Sequence, residues 1–415
     1  MKRTITLLLA LAFNGLGAVV PAIGAPAAPD LDFALPAAGL GDVRGPANYE
    51  LPVPVPVKAA GVRAKRLADV AYNFDKAKLA AAEDSFHFLR SYVDYFYLLA
   101  KANRGSLQAV SAADGVQGWC VGDAHPENFG ALIRNDGSAL FTMNDVDDSG
   151  PCPVVLDLYR LMASSRLYDQ NTKLDKLVKA YADGLQGQAY DVPAPVTDML
   201  AKSRRKGTAP DPKKVSGSRL VRGGNMYELN SGELAQLKTA LASVGGLSPR
   251  AKLLDAVSTS KTGGGSGGLL RYEVLLDNGG ALLHLEFKEE VTPSIYPVAS
   301  SQVPAAPQRV MTTLRMDQGA GVSAFYNVVV MAGKYMFVRP RFDGNVGMSL
   351  ARQNDKDNKD IIRYEAYILG QIHARSVRNS GDWVRRVQAI PSSAWENDVA
   401  LMTAQFDLKF SQLKN

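Results

Sequence analysis

The chain has 415 residues, 46% of them apolar and 21% charged, which excludes an intrinsically disordered protein and leaves room for two lobes. Its formal net charge of +6 is spread along the sequence except near residues 202–214, and no stretch interleaves aromatic with basic residues, which excludes a dedicated nucleic-acid surface. Two cysteines, four histidines and no CxxC or HExxH spacing exclude a structural zinc site.

The N-terminus reads Lys2-Arg3, then an apolar run from Ile5 to Phe13 that continues to Val20, then the small residues of Ala22-Ile23-Gly24-Ala25. That order predicts a secretory signal peptide over 1–24 and a soluble, exported protein, periplasmic or secreted. No other stretch approaches about twenty apolar residues, so no stable membrane span is expected. Residues 25–60 are rich in Ala and Pro and end in Pro52-Val53-Pro54-Val55-Pro56, which predicts an extended linker. From 63 to 100 the pattern turns helical, with Leu89, Val93, Phe96 and Ala100 on one stripe and Phe88, Tyr92 and Tyr97 beside it as core.

Residues 119–148 read WCVGDAHPENFGALIRNDGSALFTMNDVDD. Apolar runs at 119–121, 130–134 and 139–143 predict three strands, the last two joined through Asn135-Asp136-Gly137, a strong hairpin signal. Such a hairpin brings Asp123 and Asn128 beside Asp145. Carboxylates and an amide gathered at strand ends suit a hard cation, Mg or Mn, bound through oxygen, with one carboxylate left to orient or deprotonate an attacking hydroxyl. Phosphoryl transfer needs this set: Asp123 as the catalytic carboxylate, Asn128, Asp145 and Asp147 as metal ligands, Asp148 in support and His125 shaping the loop. Cys120 and Cys152 flank the stretch and are expected either as a disulfide or as two small buried apolar residues.

Beyond it, Gly150-Pro151 is expected to stop the strand. Val155, Leu158 and Met162 predict a helix to about Tyr168 with Asp157 and Arg160 on its first turns. Residues 170–250 read as helices with polar interruptions. Within them 202–224 form a basic loop that either neutralises an anionic substrate or is a solvated excursion.

Residues 261–290 read KTGGGSGGLLRYEVLLDNGGALLHLEFKEE. A loop of Gly263, Gly264, Gly265, Ser266, Gly267 and Gly268 precedes a strand, a turn and a second strand ending in Lys288. Such a loop lets backbone N–H groups approach phosphate oxygens, and the lysine holds them by charge. Strands at 325–331 and 335–339 complete a five-strand sheet, and Ile361, Tyr364, Ile368 and Ile372 mark a last helix ending near His373.

The motifs GDAHPENFG, NDVDD, Gly150-Pro151 and Asp157-Leu158-Tyr159-Arg160, with GGGSGGL and LEFKEE further on, resemble the pattern of the bacterial family DUF2252. They resemble more distantly the aminoglycoside and choline phosphotransferases of the protein-kinase-like superfamily. The resemblance implies an α+β, protein-kinase-like two-lobe fold that is circularly permuted, its catalytic loop N-terminal to the Gly-rich five-strand N-lobe sheet. Residues 61–250 then form a C-lobe part with the catalytic hairpin, 251–345 the N-lobe-like sheet, and 346–415 helices completing the C-lobe. The resemblance also implies ATP or another nucleotide with Mg in the cleft between lobes, Asp157 bracing the catalytic loop and Arg90 in a structural ion pair. One position departs from it. Where a kinase pairs its lysine with a helix Glu, this chain has Thr312, so either Glu289 or Glu290 substitutes, or Lys288 is held differently, or activity is weakened.

The leading expectation is an exported phosphotransferase or nucleotidyltransferase acting on a small-molecule or protein hydroxyl. The alternative is a non-catalytic pseudokinase-like binding or scaffold module, favoured by the missing helix Glu. A metal-dependent phosphoesterase, suggested by Gly122-Asp123-Ala124-His125, needs further His ligands that His87, His284 and His373 do not supply in any GNH setting.

Overall fold

Aspartate N-caps cut the first helical stretch into pieces. Asp75 starts α1 (Lys76–Ala81) by accepting Lys78 N, and Asp84 starts α2 (Ser85–Ser91) by accepting His87 N. Tyr92, at φ −124° and ψ 66°, separates α2 from α3 (Val93–Ala102), so the single helix expected over 63–100 is three short ones. The stripe survives the breaks: Leu89, Val93, Phe96 and Ala100 are all buried. The computed structural model describes residues 66–414, and the leader at 1–24 and the linker at 25–60 lie outside the described residues.

After α4 (Gln108–Ala113) come β1 (Gln117–Cys120), β2 (Phe129–Ile133), β3 (Ala139–Met143) and β4 (Gly150–Pro153). β2 and β3 form the predicted hairpin, with Phe129 opposite Met143 and Ile133 opposite Ala139. Gly150-Pro151 does not stop a strand. It opens β4, which pairs antiparallel with β1 and sets Cys120 opposite Gly150 and Cys152 opposite Gly118. Cys120 and Cys152 are paired as a disulfide, with Cα atoms 5.8 Å apart. α5 (Val155–Tyr168) is buried along most of its length and is packed by α2, α4, α6 (Leu174–Leu185), α10 (Asp355–Ala374) and α12 (Ser392–Lys414), with α11 (Ser380–Ala389) against α6. Phe88, Phe96 and Phe406 lie in this core, each contributing about 1.5–3 kcal/mol on burial.

The stretch 202–224 is less of a loop than its composition suggests. It begins inside α7 (Ala194–Lys206) and continues as a small hairpin, β5 (Val215–Ser216) with β6 (Arg219–Leu220). β7 (Met226–Glu228) then pairs with β8 (Lys252–Thr259) after the intervening α8 (Ser231–Leu241). β9 (Arg271–Asp277), β10 (Leu282–Glu289), β11 (Asn327–Met331) and β12 (Lys334–Pro340) complete an antiparallel sheet ordered β11-β12-β10-β9-β8-β7. It has six strands where five were expected: beside the four located from the sequence, β8 and β7 precede the Gly-rich loop and extend the sheet on the β9 side. α9 (Ala306–Gln318) connects β10 to β11, and β13 (Val346–Gly347) joins β2.

Alternation along these strands decides the sheet's two faces. Tyr272, Val274, Leu276, Leu283, Leu285 and Phe287 pack with Leu237 and Leu241 of α8. The intervening Arg271, Glu273, His284, Glu286 and Lys288 are buried on the opposite face. The architecture is mixed α+β, and no helix among the described residues is long and apolar enough to cross a membrane.

Candidate functional site

The turn after β1 is fixed from behind. Val121 N donates to Asp157 Oδ2 at 2.6 Å, Gly122 N to Asp157 Oδ1 at 3.1 Å, and His373 Nε2 lies 3.0 Å from Asp157 Oδ2. Gly122 has φ +92°, and a Cβ there would run into the Asp148 carbonyl, so this residue joins the two acidic segments only as glycine. Asp157 is wholly buried and does not line the cavity around the acidic segments. It braces the loop.

Asp123 follows, its side chain 18% exposed. Arg160 Nη2 and Nε donate to its Oδ1 at 2.6 and 3.0 Å, and His125 Nε2 lies 3.5 Å from its Oδ2. Burial pushes the Asp123 carboxyl up, but the Arg160 guanidinium and then His125 more than offset this and hold it well below the usual range. Burial pushes the His125 imidazole down against the pull of Asp123. Asn128 Nδ2 donates to the Asp123 carbonyl at 2.9 Å, which ties the two ends of the loop together. Arg90 pairs with Glu127 at 2.5 Å, and Glu127 also accepts Leu350 N.

The second acidic segment meets the sheet. Lys288 Nζ is 3.1 Å from Asp145 Oδ2 and in direct contact with Asp147 Oδ2. Arg339 Nη1 is 3.8 Å from Asp145. Burial raises the Asp145 carboxyl, and Lys288 followed by Arg339 outweighs it, keeping the group ionised well below its ordinary range. Asp148 differs: burial, then the charge of Asp123, pushes its carboxyl up to about 6, and its Oδ1 accepts Ser294 N.

Neither Glu289 nor Glu290 takes the place of a helix glutamate. Glu289 pairs with Lys334 and accepts Leu270 N, while Glu290 pairs with Arg309 of α9 at 2.6 Å. Strand and helix are therefore joined with the signs reversed: the helix supplies the cation, which also donates to the Asp147 carbonyl. Of the three alternatives, Lys288 is held differently, by Asp145 and Asp147.

The Gly-rich loop closes the other side. Gly268 N donates to the Lys261 carbonyl, Lys78 Nζ to the Gly265 carbonyl at 2.7 Å and Arg271 Nη2 to Ser266 Oγ at 3.1 Å. Around this loop and the acidic segments is a cavity of about 540 Å³. It gathers Asp123, His125, Asn128, Asp145, Asp147, Asp148, Arg90 and Lys288 with Gly264, Gly265 and Ser266. Gly263, Gly267 and Gly268 belong to the loop but do not line the cavity.

Sequence reasoning missed the partner roles of Arg160, Glu127, Arg271, Glu286 and Arg339. Arg160 lies one turn after Asp157, so its face of α5 was readable. The row Arg271, Glu273, His284, Glu286, Lys288 shows as polar residues at every second position. Glu286 binds Arg271 and Arg339 together, a buried ionic row directly beside Lys288.

Among the described residues no three His, Cys, Asp or Glu side chains gather around one point. His87, His284 and His373 each lie against a carboxylate of their own, Asp84, Glu273 and Asp157. The oxygen set of Asp145, Asp147 and Asn128 instead suits Mg, which keeps waters and takes one or two carboxylates with substrate phosphates. Asp147 Oδ1, buried with no hydrogen-bond partner, fits such a set.

A family model described as an uncharacterized protein conserved in bacteria (DUF2252) matches residues 78–182 and 215–406. No curated protein and no solved structure matches the chain.

Proposed function

The chain belongs to the DUF2252 family, and from that premise we propose a kinase-like phosphotransferase or nucleotidyltransferase with its lobe order permuted. The observation that carries the reading is Lys288 of the sheet in contact with Asp145 and Asp147 of the acidic stretch, 143 residues earlier for Asp145, with Asp123 lining the same cavity. Lysine, Gly-rich loop and acidic hairpin are the parts that phosphoryl transfer uses.

The donor's phosphate chain, from ATP or another nucleotide, lies under the Gly-rich loop against Lys288. Asp145, Asp147 and Asn128 would hold Mg or Mn, which would supply positive charge to the phosphate oxygens. Asp123 orients the acceptor hydroxyl of a small molecule or protein. Because Arg160 keeps it ionised, it acts more by position than by basicity. His125 and Asp148 support the loop, and Arg90 anchors it through Glu127. An N-terminal leader that exports the chain is part of the reading.

Thermal-shift titration with ATP and Mg or Mn, followed by a radiolabelled transfer assay, tests it. Nucleotide and metal together should stabilise the protein, and Asp145→Asn and Asp123→Asn should each abolish transfer. Full transfer by either variant overturns the assignment. A second reading, a non-catalytic binding module, is favoured by Lys288 being engaged by both carboxylates and by the reversed Glu290–Arg309 pair. It predicts ligand-induced stabilisation with no label transfer.

A further inference from the structure

The cleft does not end at Lys288. A second cavity of about 490 Å³ lies at the far end of the sheet's charged face, lined by His284, Arg339 and the chain segment 340–347. Asn128 and Asp145 line both cavities, so the two meet at the acidic hairpin.

The segment after β12 has little hydrogen bonding left to offer a ligand. Arg341 N donates to the His284 carbonyl, Asp343 N to the Ala209 carbonyl at 2.7 Å and Gly344 N to the Gly207 carbonyl at 3.1 Å. Ser203 Oγ takes the Gly344 carbonyl, and Asn345 Nδ2 takes that of Pro340. Residues 203–209 thus occupy the backbone edge that could otherwise read the edge of a heteroaromatic base. Charge remains on the wall. Asp145, Asp211 and Asp343 line it too, Asp145 paired with Lys288 and Asp343 with Lys206, while Arg341 and Lys214 form no ion pair and no side-chain hydrogen bond among the described residues and are both exposed at the cavity. Arg204, Arg205, Lys213 and Arg219, in the same stretch of chain as Lys206 and Lys214, are also exposed.

We propose that the donor is an inorganic polyphosphate chain, its terminal phosphate beside Lys288 and its following phosphates running past Arg339, Arg341 and Lys214 onto the basic arm at 204–219. This rests on the transfer reading above and changes only the donor. A ligand with an anionic charge at every unit can engage Arg341 and Lys214 in turn, the two cations of this wall that form no ion pair, whereas a neutral base would meet guanidinium and ammonium groups beside an occupied backbone edge. In the transfer step the acceptor hydroxyl oxygen forms a bond to the terminal phosphorus as the phosphoanhydride P–O bond behind it breaks. The shortened chain leaves with that electron pair, and the hydroxyl proton passes to water while Asp123 holds the hydroxyl in position.

The experiment is equilibrium binding of long-chain polyphosphate, pyrophosphate and ATP to the full chain with Mg, repeated for the double variant Arg341→Ala with Lys214→Ala. Both side chains are exposed, so the variant should fold, and its melting temperature without ligand checks this. Long-chain polyphosphate should bind about tenfold more tightly than ATP, and the double variant should lose about tenfold for polyphosphate and nothing for pyrophosphate. The dependence of binding on salt should also become shallower in the variant, by roughly one counterion per lost contact. ATP binding as tightly as polyphosphate, or unchanged polyphosphate binding by the variant, overturns the donor assignment and leaves the transfer reading standing. If pyrophosphate, ATP and polyphosphate all bind without regard to Mg and to Asp145→Asn, the transfer reading falls as well.

Discussion

Arg160 is a fully buried guanidinium, and Asp123 is the carboxylate that neutralises it. Removing one partner of such a pair leaves the other charge buried alone. Asp123→Ala should therefore cost about 3–5 kcal/mol of stability as well as activity, measurable by urea denaturation, while Asp123→Asn should lose activity at a smaller cost in stability. A second residue gives a pH signature away from the cleft. Asp317 is buried, Thr142 Oγ1 and Met143 N donate to its Oδ1, and its Oδ2 has no partner. Burial pushes its carboxyl up to about 7 from an ordinary 3.8. With the folded value above the unfolded one, its contribution is full below about pH 4 and is lost as pH rises to about 7. Asp317→Asn keeps an oxygen for both donors and cannot ionise. Its stability relative to the parent should grow between pH 4 and pH 7 by roughly 2–4 kcal/mol and stay level above that. A difference independent of pH would refute the assignment.

At the scale of elements, the joint between β10 and α9 carries the most information. Glu290 and Arg309 are each about 1% exposed in their side chains, so this pair fixes the helix against the strand end that bears Lys288. Arg309→Met and Glu290→Leu should each cost about 3–5 kcal/mol alone, and the double variant should cost clearly less than their sum. Strict additivity in a denaturation cycle would mean the two side chains do not act on each other. The turn between β1 and the Asp123 loop is a second joint. Gly122→Ala should lower the melting temperature and impair ligand binding together, because the Asp148 segment must move to admit a methyl group. Retention of both would place the contact elsewhere.

For the molecule as a whole, the Cys120–Cys152 bridge ties β1 to β4 across a sequence separation of 32 residues, and the Asp123 loop and both acidic segments lie between its ends. Replacing both cysteines by serine should cost about 2–4 kcal/mol, and the parent protein should lose a similar amount in reductant. Equal stability of parent and variant under oxidising conditions would show that the β1–β4 pairing holds without the bridge. The same two strands explain an expectation that went astray. Gly150-Pro151 reads locally as punctuation, yet the chain has a partner strand waiting, and proline at an edge position needs no ladder hydrogen bond.

Local chemistry in the sequence was enough to locate the hairpin at 129–143, the helix from Val155, the two strands that follow the Gly-rich loop and the acidic and amide residues that line one cavity. Each of these is written in short-range pattern: turn residues, period-two alternation and helical spacing. What the sequence could not settle was pairing between distant residues. Arg160 on Asp123, Arg309 on Glu290, Lys288 on Asp145 and Asp147, and the arm at 203–209 on the backbone of 343–344 all depend on how separate elements pack. Side chains buried by that packing take whichever opposite charge the fold brings within reach, and only the tertiary structure decides which one that is.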